Sequence, residues 1–462
     1  MNADSRNDQK WKSYPKYKDS GIKWMGEVPE HWGSVSLRWI SRRYSGGTPE
    51  KANEAYWDDG TIPWINSGAV NQIIITQPIA YISEQGFQNS SAKWIPKGAL
   101  VMALAGQGKT KGTTAQLAID TTCNQSMAAI IPKQRIASRF LFWWLTVNYQ
   151  NIRSLSSDEL RDGLNLEILG SIPCPLLPIE EQFAIENFLD KKIKKIDALI
   201  AIKEHLIELL QEKRAALISH ALTKGLNSSV SLKDSGMKWL GDIPANWQLI
   251  PLKFLLSPHP GAIRTGPFGS QLLSSEMTNG EIKVYNQKNV IDMSLSEGDN
   301  YISKSKFKEL SAFTVFSGDI LVTTRGTIGR CMIVPETAEL GILHPCLMRI
   351  QPSENKVLKE YLSLVIQDSI VIMTQLLLMS GTTTIDVIYS DTLKNISIPL
   401  PPLNEQKRII WYLKKEEEKN SVIVSKTSQT IEKLKEYRSA LISAAVTGKI
   451  DVRDEACLGG TA

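Results

Sequence analysis

One stretch of the sequence has nearly the spacing of a phosphate-binding loop. Residues 103–110 read ALAGQGKT, with Ala103 in place of the first glycine of the G-x-x-x-x-G-K-T pattern. The following residues do not resemble the helix that such a loop needs. A similar stretch at 323–330, TTRGTIGR, contains no Lys-Thr pair. The spacing therefore indicates a turn that binds nucleic-acid phosphates rather than a nucleotide site, with an ordinary surface turn as the alternative.

The sequence contains no complete catalytic motif of the other common kinds. The sequence contains no N-P-P-[FY] or D-P-P-[FY] tetrapeptide and no H-E-x-x-H motif, and its five cysteines form no C-x-x-C pair. Glu281-Ile-Lys283 has the form of the end of a nuclease motif, but no Asp lies in the twenty preceding residues. We therefore expect no catalytic residue, no metal site and no cofactor in this chain.

Polar and basic side chains in turn-rich segments are better suited to contacting nucleic acid. Arg, Lys, Asn and Gln hydrogen-bond to base edges, and Lys, Arg, Ser and Thr bind phosphates. For each candidate the alternative is an exposed polar residue without a role. The candidates are Ser45, Thr48, Asn66, Gln107, Lys109 and Lys111 in the first half, and Arg264, Ser270, Gln271, Asn286, Gln287, Lys288, Arg325 and Thr327 in the second.

The two halves of the chain are copies of one module. Residues 18–40 align without a gap on residues 233–255, at an offset of 215, and ten positions are identical. PLLPIEEQ at 175–182 aligns on PLPPLNEQ at 399–406, at an offset of 224, and this offset continues for about fifty residues. Gly98–Gly106 aligns on Gly318–Gly326 at an offset of 220. Each module is therefore a variable globular part followed by a constant segment.

The constant segments predict two long helices. No Gly or Pro occurs between Pro178 and Gly225, or between Pro402 and Gly448. Apolar residues recur at heptad spacing, which is typical of a coiled coil, and two modules in one chain favour antiparallel pairing. The predicted seam contains Leu189, Ile196, Leu210 and Leu217, with Ile185, Leu199 and Leu206 beside it and Ile193, Ile200 and Ile207 widening it. In the second copy it contains Ile409, Leu413, Ile423, Leu434, Tyr437 and Leu441. A polar stretch, KKEEEKN at 414–420, should open to solvent or to a partner.

Composition is that of a multidomain globular protein. The chain has 462 residues, of which 42% are hydrophobic and 22% charged, and a net charge of +5. This charge permits nucleic-acid binding but is too small for a nonspecific DNA coat. The longest apolar runs are shorter than a membrane span, and the first residues lack the apolar region of a signal peptide. We expect a cytoplasmic protein with reduced thiols and no membrane partner.

The chain resembles, over nearly its whole length, the specificity subunit of type I restriction-modification enzymes. The motifs that carry this resemblance are YPKYKDSGIKWMGEVPEHW, SGGTPEKANEAYWDDGTIPWINSG, GPFGSQLL, GDILVTTRGTIGR, the two proline-EQ helix starts and the late TGKI. The resemblance implies an α+β fold in which two β-rich target recognition domains are joined by two long helices, paired as an antiparallel coiled coil in an internal pseudo-two-fold repeat. The expected divisions are recognition domain 1 (1–178), helix 1 (179–226), recognition domain 2 (227–402), helix 2 (403–450) and a tail (451–462).

The resemblance also implies a noncatalytic function in a complex. Each recognition domain would read one half of a bipartite target in double-stranded DNA, and the helices would dock two methyltransferase (modification) subunits and fix the spacing of the half-sites. S-adenosylmethionine, ATP and Mg²⁺ would bind to the modification and the restriction/translocase subunits. The alternative is a duplicated coiled-coil scaffold that binds protein or RNA without DNA sequence specificity.

Overall fold

The computed structural model describes residues 11–106, 109–155, 163–278, 280–295, 300–368, 370–380 and 387–454. The chain forms two compact units. Unit 1 consists of Met1–Lys203 and Gln429–Ala462, and unit 2 consists of Glu204–Ser428. Each unit therefore contains one β-rich domain together with part of each long helix.

The β-rich domain of unit 1 is built around two sheets. One has the strand order β4-β11-β8-β9-β6 and the other β10-β5-β7. The strands are β1 (Tyr17–Asp19), β2 (Glu27–Pro29), β3 (Gly33–Ser36), β4 (Ser41–Ser45), β5 (Ile62–Ile65), β6 (Ile74–Ile75), β7 (Ala80–Ile82), β8 (Leu100–Ala103), β9 (Thr114–Leu117), β10 (Thr122–Cys123), β11 (Met127–Pro132) and β12 (Pro173–Leu176). The helices are α1 (Leu37–Ile40), α2 (Glu84–Gln88), α3 (Ser138–Val147), α4 (Tyr149–Arg153), α5 (Leu166–Ser171) and the long α6 (Ile179–Thr223).

Unit 2 repeats this arrangement with sheets of order β16-β23-β20-β21 and β18-β17-β22-β19. Its strands are β13 (Leu232–Asp234), β14 (Asp242–Pro244), β15 (Gln248–Pro251), β16 (Ile263–Thr265), β17 (Ile282–Tyr285), β18 (Tyr301–Ile302), β19 (Thr314–Val315), β20 (Ile320–Thr323), β21 (Cys331–Ile333), β22 (Gly341–Leu343), β23 (Leu347–Ile350) and β24 (Ser397–Leu400). The helices are α7 (Gln287–Ile291), α8 (Lys304–Glu309), α9 (Lys359–Asp368), α10 (Ile370–Ser380), α11 (Ser390–Lys394) and the long α12 (Leu403–Val446).

Central strands of both domains are buried on both faces. In β8 and β20 every residue is buried, which explains their continuous apolar runs, LVMA and ILVT. In unit 1 the helix α3 contains Trp143 and Trp144, which are 1% and 0% exposed. The indole N–H of Trp143 donates to Asp190 of α6, and that of Trp144 donates to the carbonyl of Pro173 in β12, both at 3.0 Å. Burial of these large apolar side chains stabilises the frame that presents the loops between the strands.

The two long helices begin and end with the same local signals. Each starts directly after a proline, Pro178 or Pro402, and each is followed by a glycine in the left-handed region, Gly225 (φ 75°) or Gly448 (φ 70°). The helices contain 45 and 44 residues, and at about 1.5 Å per residue each is roughly 65–70 Å long. Both helices therefore have about the length that the sequence predicts, and both end shortly before a glycine.

Within each unit the segments of α6 and α12 pair side by side. In unit 2, Asn420 Nδ2 lies 3.5 Å from the carbonyl oxygen of Leu210, and Arg214 forms an ion pair with Glu417. The partner's number falls as the residue number in α6 rises, so the segments run antiparallel. In unit 1, Arg438 Nε donates to Asp197 Oδ1 at 2.8 Å, so the two helices are also in contact there. The predicted α+β architecture, with two β-rich domains and an antiparallel helix pair, is confirmed.

The polar stretch in α12 lines an opening in unit 2. A groove of about 620 Å³ lies between segments of α6 and α12 and the helix α9. Its floor includes Leu217, Leu364 and Leu413, and residues 416–421 line its edge. The groove lies at the place where the heptad pattern is interrupted by KKEEEKN.

Among the residues that the structure describes, no single helix is long and apolar enough to span a membrane. One bent pair, Lys359–Gln367 with Val371–Met379, passes that test by length and composition across a 58° bend. Val365, Val371 and Leu376 of this pair are buried in the core of unit 2.

Candidate nucleic-acid interface

Four loops in each β-rich domain follow the ends of strands of its two sheets, and we call them the strand-end loops A to D. In unit 1, loop A is 45–48, loop B is 66–68, the described part of loop C is 104–106 and 109–113, and loop D is 124–126; they come at the ends of β4, β5, β8 and β10. In unit 2, loop A is 265–271, loop B is 286–288, loop C is 324–330 and loop D is 344–346, after β16, β17, β20 and β22. Loops A and C follow strands of one sheet and loops B and D follow strands of the other, in both units. Loops presented by such a frame carry function in many folds.

Backbone hydrogen bonds join these loops in unit 1 around loop D. Asn124 N–H donates to the carbonyl of Ile65 at 3.0 Å, and Leu104 N–H donates to the carbonyl of Ser126 at 2.8 Å. A Cβ atom on Gly46 would lie 1.8 Å from the carbonyl oxygen of Cys123. Loops A, B and C are therefore all fixed against the segment that begins at loop D.

Unit 2 has the same junction. His344 N–H donates to the carbonyl of Tyr285 at 2.9 Å, and Thr324 N–H donates to the carbonyl of Cys346 at 3.0 Å. A Cβ on Gly266 would lie 2.1 Å from the carbonyl oxygen of His344. Burial lowers the pKa of His344, and its Nδ1 accepts the N–H of Cys346 at 3.1 Å, so the neutral ring holds loop D in shape.

The offset of 220, seen in the sequence at Gly98–Gly106, relates these two junctions residue by residue. It places Gly46 on Gly266 and Asn66 on Asn286, and it places the bond from Leu104 to Ser126 on the bond from Thr324 to Cys346. The hydrogen bonds and the closely packed glycine that join the strand-end loops are thus shared by the two domains, while loops A and C differ in length and most of the side chains differ.

The charged side chains of the strand-end loops are all cations. Their sequences contain no Asp or Glu in either domain. Their cations are Lys109 and Lys111 in unit 1, and Lys288, Arg325 and Arg330 in unit 2. Lys109, Arg325 and Arg330 are exposed. A junction with several exposed cations and no carboxylate attracts a polyanion such as nucleic acid.

Several predicted contact residues also have structural roles in these loops. Asn66 and Asn286 cap the short helical turns that follow them, since their Oδ1 atoms accept the N–H of Gly68 at 2.9 Å and of Lys288 at 2.9 Å. The Nδ2 groups of both residues are donors suited to a base or phosphate. Gln287 Nε2 donates to the carbonyl of Arg325, so it joins loops B and C.

The remaining candidates of unit 1 lie in loops A and C. Ser45 is half-buried at the end of β4, and Thr48 donates its hydroxyl hydrogen to Gln125 Oε1 at 2.6 Å. The carbonyl of Lys109 accepts the hydroxyls of Thr113 and Tyr149, at 2.7 and 2.9 Å, which fixes loop C. Lys111 is half-buried in the same loop. Gln107 lies outside the described residues.

In unit 2 the candidates divide between a strand and the loops. Arg264 lies within β16, whereas Ser270 and Gln271 are exposed in loop A, where Gln271 Oε1 accepts the N–H of Phe268 at 3.0 Å. Lys288 is exposed at the start of α7. Thr327 is exposed in loop C, and its carbonyl accepts the hydroxyl of Thr323.

Two exposed side chains in these loops are not among the contact residues that the sequence predicts. Gln125 is exposed in loop D beside Thr48, and Phe268 is 79% exposed in loop A. The repeat gives no signal for Gln125, because the offset of 220 places it on Pro345. No group of three or more His, Cys, Asp or Glu side chains in the described part of the chain is arranged to hold a metal ion.

Comparisons with known proteins agree with this geometry. The model of a family described as the type I restriction modification DNA specificity domain matches residues 29–211 and 272–433, one match in each half. The MjaVIII type I restriction enzyme specificity subunit of Methanocaldococcus jannaschii is 24% identical over 451 residues, which are 95% of this chain and 98% of that protein. The EcoR124I/EcoR124II specificity subunit of Escherichia coli is 30% identical over 191 residues. That match covers 39% of this chain and 45%, less than half, of that protein.

A solved structure has the same fold. A chain from a study of complex assembly and conformational transition in a type I R-M system matches with a TM-score of 0.67 at 17% identity. The match covers 91% of this chain and 98% of that chain. Neither the relatives nor this structure favours the alternative of a protein-binding or RNA-binding scaffold.

Proposed function

The chain belongs to the family of type I restriction modification DNA specificity domains, and from this premise we propose how it works. It is the specificity subunit of a type I restriction-modification system and is not itself an enzyme. We propose that the strand-end loops of each recognition domain read one half of a bipartite target in double-stranded DNA. The observation that carries this proposal is the duplicated junction of four loops, which contains cations and no carboxylate in both copies.

A shared backbone with different side chains suits this function. Base edges in the major groove are distinguished by the donors and acceptors that meet them, so two loop sets that are joined by the same bonds but carry different side chains can read two different sequences. At the offset of 220, Lys109 of unit 1 matches Gly329 and Arg325 of unit 2 matches Ala105, so loop C carries its cation at a different position in each domain. Each domain is therefore assigned its own half-site.

The partners and compartment follow from the same proposal. Two modification subunits would dock on the paired helices, and the groove beside residues 416–421 is a suitable surface for one of them. S-adenosylmethionine, ATP and Mg²⁺ would bind to the modification and the restriction subunits. Because the substrate is cellular DNA, we place the complex in the cytoplasm.

A binding selection tests this function. The chain, purified in complex with its cognate modification subunit, would be incubated with a random DNA library, and the bound DNA would be sequenced. The proposal predicts enrichment of two short sequences at one fixed separation. Enrichment of single-stranded RNA from a parallel library, or of no sequence, would contradict it.

A further inference from the structure

A cation stacked on an aromatic ring lies beside loop A in unit 1. Lys93 Nζ lies 5.9 Å from the centroid of the Tyr44 ring, and the guanidinium of Arg42 lies 5.5 Å from the same centroid. The Tyr44 hydroxyl donates to the carbonyl of Trp94, which fixes the ring. Within about 6 Å of a ring a cation is attracted to its face.

Unit 2 has a similar pair beside its loop A. The guanidinium of Arg264 lies 5.7 Å from the centroid of the Phe313 ring. Arg264 is in β16 and Phe313 directly precedes β19. Both side chains are half-buried.

The two pairs occupy equivalent positions with the cation and the ring exchanged. Tyr44 lies opposite Ala129 in its sheet and Arg264 lies opposite Arg349, and the offset of 220 relates both positions. The same offset places Lys93 on Phe313. In unit 1 the cation is Lys93, at the position that matches Phe313 of unit 2. In unit 2 the cation is Arg264, on β16, the strand that leads into loop A.

Both pairs adjoin the strand-end loops. Tyr44 and Arg264 are each separated from the glycine of loop A, Gly46 or Gly266, by one residue. A Cβ on Gly47 would lie 2.8 Å from the backbone nitrogen of Ala92, the residue before Lys93. Lys93 therefore lies close to loop A, one of the loops that we assign to DNA binding.

Packing alone does not account for these pairs. Among the described residues neither Lys93 nor Arg264 forms an ion pair with a carboxylate, and the strand-end loops beside them contain none. The aromatic ring restricts the side chain of the cation, but it provides no negative charge to pair with it. Such a cation is suited to an oxygen anion that arrives from outside the chain.

We infer that Lys93 and Arg264 are equivalent contacts to the phosphate backbone of DNA, one in each half-site. This inference rests on the proposed function of the strand-end loops. The aromatic partners, Tyr44 and Phe313, are positioning residues that hold each cation at the edge of the loops. Because these contacts meet phosphates, they contribute affinity without base preference.

The salt dependence of DNA binding tests this inference. Lys93→Gln and Arg264→Gln remove the charge, Lys93→Arg and Arg264→Lys keep it, and Lys18→Gln and Lys233→Gln are control variants. Lys18 and Lys233 are exposed equivalents in β1 and β13, away from the strand-end loops. Affinity of the assembled complex would be measured between 50 and 200 mM salt for target and scrambled duplexes.

Each charge-removing variant should lower the slope of log affinity against log salt by about 0.9 and weaken binding to both duplexes by the same factor. The charge-keeping variants and the controls should retain the wild-type slope. An unchanged slope in Lys93→Gln and Arg264→Gln would overturn the inference, as would a loss confined to the target duplex. A wild-type complex that does not discriminate the two duplexes contradicts the proposed function, whereas the slopes still test the phosphate contacts.

Discussion

The side chain of Gln182, near the start of α6, accepts the backbone N–H of Ala137 on Oε1 at 2.8 Å. Ala137 is the residue before α3, so this bond attaches the recognition domain of unit 1 to the long helix. Gln406 makes the same bond to Leu358 at 2.9 Å in unit 2, beside α9. Both glutamines are fully buried, and each also donates to two carbonyl groups. The glutamine that follows each proline therefore fixes the domain to its helix.

Replacing either glutamine should loosen this junction. Gln182→Ala and Gln406→Ala each leave buried backbone groups without partners, which should cost about 2–3 kcal/mol. The loss should appear as faster hydrogen exchange at the amides of Ala137 and Leu358. The exposed glutamines Gln211 and Gln429, one in each long helix, are matched controls for the Ala substitution. Equal exchange in the buried and the control variants would show that the bonds do not hold the domains.

A buried tyrosine makes unit 1 less stable as the pH rises into the alkaline range. Tyr14 is 3% exposed, and its hydroxyl donates to the carboxylate of Glu181, which also accepts the Nε1–H of Trp32 at 2.9 Å. Burial, with a further contribution from Glu181, raises the pKa of Tyr14. The neutral phenol is thus favoured in the folded state, and its contribution is present below the unfolded pKa of about 10 and is lost at higher pH.

Tyr14→Phe should remove this dependence. The advantage of the wild type over Tyr14→Phe should shrink by up to about 1.4 kcal/mol per pH unit above about pH 10. Urea unfolding between pH 8 and 11 measures it, with the exposed Tyr81 replaced by Phe as the control. A constant difference between wild type and Tyr14→Phe across this range would be inconsistent with the buried network.

Glycines of loop A provide a test of the junction in each domain. Gly46→Ala and Gly266→Ala would place a Cβ 1.8 Å from the carbonyl oxygen of Cys123 and 2.1 Å from that of His344. The loops must shift to relieve this clash, and we expect a cost of about 1–3 kcal/mol and about tenfold or greater weakening of one half-site. Binding to duplexes that carry one intact and one scrambled half-site assigns the loss.

Two other glycines serve as controls for these variants. Gly269 lies in the same loop as Gly266 with nothing within 4 Å of an added Cβ, and Gly33 has no contact closer than 3.7 Å. Gly269→Ala and Gly33→Ala should bind both half-sites as the wild type does. If Gly46→Ala and Gly269→Ala behave alike, the close approach of the loops is not required for binding.

Loop C should contribute to recognition in both domains. Arg325→Ala should weaken binding to the second half-site, and Lys109→Ala to the first, by about 1–3 kcal/mol each if the side chains meet bases. Gln287→Ala should reproduce part of the Arg325→Ala loss, because Gln287 holds the carbonyl of Arg325. Competition with single-base variants of the target measures both effects. Unchanged affinity of Arg325→Ala and Lys109→Ala for the target would remove these residues from the interface.

Much of the architecture could be predicted because the chain repeats itself. The offset of 224 locates both helix starts, and the prolines and glycines that bound them are visible in the sequence. The predicted seam was partly wrong. Leu189, Ile193 and Ile200 are buried, as the prediction requires, whereas Leu199 and Leu206 are 41% and 40% exposed. Adjacent apolar residues on a helix allow more than one phase, and only the partner helix decides between them.

The candidate interface was harder to predict than the helices. Turn composition indicated Asn66 and Asn286, but their roles as caps depend on backbone directions that a sequence does not reveal. Lys93 was not among the candidates, because its position beside loop A comes from the approach of Gly47 to Ala92 across the fold. Such contacts join residues that are more than forty positions apart in the sequence.

The central claim is that the two recognition domains give a complex its DNA sequence specificity. Methylation-sensitive long-read sequencing of DNA tests it most directly, in cells that express this chain with its modification subunit and in cells that express the modification subunit alone. We predict a split, two-part methylated motif that appears only when this chain is present, and that loses one half when Gly46 or Gly266 is replaced by alanine. The same methylation with and without this chain, or no motif from a correctly assembled complex, would contradict the claim.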